Sequence, residues 1–97
     1  IIRGGENISC LDVENALDKH PDIIESCVSG IEDEKFGEIV GAYIYAKNSI
    51  DKEELVSFLK DKLANYKIPE IIQFTNEALP RIASEKVDRV TVKKLLS

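Results

Sequence analysis

Two runs rich in β-branched and aromatic residues, Ile23 to Ile31 and Glu38 to Lys47, flank the charged segment Glu32-Asp33-Glu34-Lys35 and Gly37. Both alternate in polarity. Ile24 and Val28 mark one, and Val40, Ala42, Ile44 and Ala46 mark the other, which is the period of strands with one buried face. Only a few residues separate the runs, so an antiparallel hairpin is the economical connection. Such a hairpin is marginal by itself in water, and the rest of the chain has to cover its apolar face.

The covering elements announce themselves by their starts. Ser9 with Asp12 fits a capping box, and the helix it opens, from about Cys10 to Lys19, carries the apolar stripe Val13, Ala16, Leu17. Pro21 disfavours helical geometry at His20 and ends it. His20 is thereby explained as a helix-terminal residue. Asp51 with Glu54 starts a second helix, expected to end near Asn65, with Leu55, Phe58, Leu59 and Leu63 on one face. After Ile68-Pro69, the run Ile71, Ile72, Phe74 reads as a third strand, followed by an irregular segment through Pro80. Asp88 can cap a last short helix bearing Val92, Leu95 and Leu96. The expected class is α+β: a small three-stranded, largely antiparallel sheet with helices packed on it, two of them on one face.

At 97 residues the chain supports one modest core, so residues 1–97 are expected to form a single domain. Hydrophobic residues make up 43% and charged ones 32%, a balance that suits a soluble folded domain, and no apolar run approaches the roughly 20 residues of a membrane span. A net charge of -5 and a pI near 4.9 argue against a nucleic-acid partner, which calls for a basic stripe. Cys10 and Cys27 lack CxxC spacing, so two reduced, mostly buried thiols are expected and no metal site. The acidic Glu32 to Glu34 lacks the ligand spacing of a calcium loop and reads as a solvated turn. The chain opens on Ile1-Ile2-Arg3 with no initiator Met and no signal-type segment, as a piece of a longer, cytoplasmic protein would.

Four stretches carry a resemblance. Pro80-Arg81-Ile82-Ala83-Ser84-Glu85-Lys86-Val87-Asp88-Arg89 resembles the C-terminal lysine loop of AMP-forming adenylating enzymes, the acyl-CoA synthetase family. Ile2-Arg3-Gly4-Gly5-Glu6-Asn7-Ile8 resembles that family's glycine loop, with Cys10 where members have Pro. His20-Pro21 with Asp33-Glu34-Lys35-Phe36-Gly37-Glu38 is similar to its hairpin, and Tyr66-Lys67-Ile68-Pro69 to the approach to its third strand. The four occur in the family's order and span nearly the whole chain.

The resemblance implies the mobile C-terminal domain of an ATP-dependent acyl-CoA ligase. A larger N-terminal domain, the expected partner, would hold ATP, magnesium and the pocket for the carboxylic acid, fatty or other organic. Lys86 would be the catalytic residue, stabilising charge while acyl-adenylate forms. A compact ammonium on a long stem suits that task, although most lysines in polar loops only keep a surface soluble. Gly4, Gly5 and Glu6 would form the loop serving thioester formation with CoA, the glycine amides lining an anion or a pantetheine chain. Glu85 stands where the family has Gly: beside Lys86 it would offset about 1 kcal/mol of positive potential if solvated, and it disfavours the φ > 0 that Gly permits. Two alternatives remain at this level: a domain that loads a carrier protein instead of CoA, and a non-catalytic α+β interaction module.

Overall fold

The computed structural model describes all 97 residues, Ile1–Ser97. In chain order the elements are β1 (Ile2–Arg3), β2 (Glu6–Asn7), α1 (Cys10–Leu17), β3 (Ile23–Asp33), β4 (Gly37–Ala46), α2 (Lys52–Leu59), a 3-10 turn (Asn65–Lys67), β5 (Ile71–Thr75) and α3 (Arg89–Leu96). The expected hairpin is the centre: β3 and β4 pair antiparallel from Ile23↔Ala46 to Asp33↔Gly37. A bulge between Ile23 and Glu25 shifts the register, so Ile24 lies at the surface rather than on the buried face of Val28.

Three long strands form, as the sequence implies, but β5 runs parallel to β4, from Gly41↔Ile71 to Tyr45↔Thr75. A parallel neighbour needs a crossover, and α2 provides it. β3 lines one edge of β4; β5 and the end of β1 (Arg3↔Gly37) share the other. The two-residue β1 and β2 complete a five-stranded sheet that stays largely antiparallel.

On one face, Val40, Ala42, Ile44 and Ala46 of β4 and Val28 of β3 pack with Val13, Ala16 and Leu17 of α1 and Leu55 and Leu59 of α2. On the other, Ile39, Cys27 and Ile31 lie under Val92 and Leu96 of α3, with Leu79. The third helix therefore covers the second face, and Leu95 points to solvent instead of joining its stripe. β4 is buried on both sides, which is why its apolar content is nearly continuous.

All three expected caps form. Asp12 N–H donates to Ser9 Oγ (3.3 Å), Glu54 N–H to Asp51 Oδ2 (3.4 Å) and Thr91 N–H to Asp88 Oδ1 (3.1 Å). The helix ends fall earlier than the periodicity suggests. α1 stops at Leu17, where Lys19 and His20 turn back to the Ala16 and Leu17 carbonyls; α2 stops at Leu59, with Leu63 half-buried beyond it. His20 does more than terminate: it is buried, Asp22 N–H donates to its Nδ1 (3.1 Å), Nε2 lies 3.5 Å from Glu54 Oε1, and its ring meets Phe58 edge-on. It joins the end of α1 to α2.

Candidate functional site: the lysine loop and the glycine hairpin

Between β5 and α3 the chain forms a closed loop whose neck is an antiparallel bridge between Arg81 and Val87. Asp88 N–H donates to the Pro80 carbonyl (2.8 Å), Ile82 N–H to Lys86 O (2.9 Å) and Glu85 N–H to Ile82 O (3.0 Å). A turn this tight needs one residue in the left-handed region, and Glu85 takes it with φ 70°, alone among the non-glycine residues. Glu85 thus adopts the φ > 0 that a side chain disfavours, a conformation that costs a non-Gly residue about 1–2 kcal/mol. The loop is held regardless. Arg81 Nη1 donates to the Glu85 carbonyl (3.0 Å), and Arg81 Nη2 pairs with Glu25 Oε2 on β3. Glu25 Oε1 also accepts Leu79 N–H (3.0 Å).

Lys86 rises from this loop exposed, with no carboxylate within ion-pairing distance, Glu85 included. Its ammonium is free to meet an anion brought from outside. Beside it runs a shallow groove lined by Ile82, Val87, Asp88, Arg89 and Val90.

Downstream, Arg89 opens α3 and grips Glu14 of α1 with both arms, Nη1 at 3.1 Å and Nη2 at 3.2 Å. Glu14 is buried, and its Oε2 also accepts Val28 N–H (2.8 Å). The bidentate bond raises the Arg89 pKa. Close by, burial pushes the Cys27 thiol up to about 11, only partly offset by Arg89, and raises Cys10 as well. Both cysteines are free thiols. Glu14 and Glu25 carry no motif. The available signal was a carboxylate set among apolar neighbours, Glu14 beside Val13 on the buried stripe and Glu25 within the strand run, where an unpaired charge is not tolerated.

The glycine stretch folds as a two-residue hairpin joining β1 and β2, with Ile2↔Asn7 and Arg3↔Glu6 paired. Gly4 (φ 56°) and Gly5 (φ 88°) both sit at positive φ, as the tight primed turn requires. The Gly4 amide is already engaged, donating to Phe36 O (2.8 Å), so it does not line a ligand. Only the exposed Gly5 N–H lacks a partner within the chain. Glu6 is exposed, and the Arg3 guanidinium lies over the Phe36 ring (3.9 Å) while pairing with Glu70 (2.8 Å).

The two loops are far apart. The glycine hairpin joins the sheet at Gly37, opposite Asp33, whereas the lysine loop is tied to Glu25. The β3 stretch from Glu25 to Asp33 spans roughly 25 Å at about 3.3 Å per residue. No three His, Cys, Asp or Glu side chains are grouped to hold a metal. In the acidic turn, Asp33 Oδ2 accepts the Lys35 and Phe36 amides (3.1 and 2.9 Å). No helix is long and apolar enough to cross a membrane.

The sequence and the fold have relatives. A 2-succinylbenzoate–CoA ligase from Bacillus licheniformis is 44% identical over 89 residues, which is 92% of this chain and 18% of that protein. A double mutant of the o-succinylbenzoate CoA synthetase from Bacillus subtilis, solved with the product analogue OSB-NCoA, is 40% identical with a TM-score of 0.90. It matches over 97% of this chain and 19% of that one. A fatty acyl CoA synthetase from Mycobacterium tuberculosis is 32% identical with a TM-score of 0.88, covering 98% of this chain and 19% of its own. The chain thus spans about a fifth of the length of these relatives. The family model for the AMP-binding enzyme C-terminal domain matches residues 12–86, and this chain belongs to that family.

Proposed function

We propose that this chain is the mobile C-terminal domain of an AMP-forming acid–CoA ligase acting on 2-succinylbenzoate. A carboxylate oxygen of the acid attacks the α-phosphorus of ATP and pyrophosphate leaves, giving the acyl-adenylate. The CoA sulfur, its proton lost, then attacks the acyl carbonyl and AMP leaves. Lys86 serves the first step: its unpaired ammonium binds the oxygens on which negative charge gathers between the acid and the α-phosphate. The hairpin of Gly4, Gly5 and Glu6 serves the second, presenting the free Gly5 N–H to the incoming thiol substrate. ATP, magnesium and the acid belong to the N-terminal domain, which supplies whatever metal chemistry the phosphates require.

The observation that carries this reading is the opposed placement of an unpaired lysine and a glycine hairpin on one rigid β3–β4 unit. One ligand cannot touch both at once, which supports a domain that turns to offer first one end and then the other. The acid is taken from the 2-succinylbenzoate ligases, whose identity exceeds that of the fatty acyl neighbour; the fatty acid allowed by the sequence alone gives way to an aromatic dicarboxylate. The test is pyrophosphate exchange into ATP by the full-length enzyme over a panel of acids. Exchange driven by 2-succinylbenzoate well above that with palmitate or malonate is expected, and exchange driven only by an aliphatic acid would refute the substrate.

A further inference from the structure

We infer that Glu25 is a positioning residue for Lys86, acting through Arg81. The inference rests on the reading of Lys86 as the adenylating lysine, but its physical content is a three-link chain from the sheet to the lysine peptide. Glu25 sits in β3, paired with Tyr45 of β4 in the middle layer of the fold. Both of its oxygens are committed to the far segment, Oε1 to Leu79 N–H and Oε2 to Arg81. Arg81 uses its other amino group on the Glu85 carbonyl, which belongs to the peptide joining Glu85 to Lys86.

That carbonyl is the place where a clamp matters. Glu85 holds φ 70°, a conformation its side chain disfavours, and the plane of the next peptide sets the direction in which Lys86 leaves the loop. A planar, forked guanidinium can hold Glu25 and the carbonyl together, whereas an ammonium has no fork. The Glu25 side chain retains 22% exposure and Arg81 36%, so the pair lies at the surface and its hold on the loop comes from the number of bonds it makes more than from its charge. Where the family places Gly, the positive φ is free of strain; here the Glu25–Arg81 clamp compensates for Glu85.

Two substitutions in the full-length enzyme test this. Glu25→Gln removes the charge, and Arg81→Lys keeps an ion pair but loses the fork. Each is expected to slow acyl-adenylate formation about tenfold and leave thioester formation from supplied o-succinylbenzoyl adenylate within about twofold. In the Lys86→Ala background neither should slow adenylation by more than about twofold further, because they act through that lysine. Hydrogen exchange of the backbone from Arg81 to Val87 should quicken severalfold in both, a readout independent of the chemistry. Unchanged exchange together with unchanged adenylation overturns the clamp, as do equal losses in both half-reactions or an effect undiminished in the Lys86→Ala background. Faster exchange with a Lys86→Ala enzyme that adenylates normally would leave the clamp standing and refute the role of Lys86.

Discussion

Glu85 concentrates the tension between sequence and structure in one residue. Its carboxylate makes no ion pair with Lys86, so its main effect is conformational. Glu85→Gly is expected to stabilise the domain by about 1 kcal/mol, the left-handed strain removed less the extra freedom of Gly in the unfolded chain. A rise in the urea midpoint at unchanged slope would register it, and a fall in midpoint would mean the strain is absent. Lys86 and the Gly4 to Glu6 loop were legible as a resemblance. Glu25 was not: its place in the strand run is a local signal that the carboxylate needs a partner, but that partner, Arg81, lies 56 residues away.

At the scale of elements, what was local was readable and what was distant was not. Ser9, Asp51 and Asp88 each cap the helix that follows because a cap needs only a side chain and an amide three residues on. The parallel pairing of β5 and the choice of face by α3 depend on a crossover and on both sides of β4, which no window of sequence contains. Asp88 matters most among the caps, since it begins α3 as the lysine loop ends. Its pKa lies below the usual carboxylate value, chiefly through the Thr91 hydroxyl and amide. A depressed pKa stabilises the fold above the unfolded value, near 3.9, and that contribution is lost as pH falls through the folded one. Asp88→Asn keeps an acceptor without a charge, so its stability should fall less steeply than wild type below about pH 4. Parallel acid-denaturation curves for the two would count against the cap.

The molecule as a whole is a thin plate, 33 × 30 × 18 Å, with a radius of gyration of 12.8 Å, close to the roughly 12.5 Å expected for a compact domain of this length. Its two candidate loops lie at opposite ends of the hairpin that forms its centre. That separation suits the assignment of one half-reaction to each, which came from the resemblance, and it was invisible in a sequence where Gly4 and Lys86 are simply near the two termini. The most direct test is rapid-quench kinetics of full-length Lys86→Ala, following acyl-adenylate formation from acid and ATP and, separately, thioester formation from supplied adenylate and CoA. The expected result is a loss of about 10²-fold or more in the first with the second near wild type. Equal rates for mutant and wild type in the first reaction would contradict the assignment of Lys86.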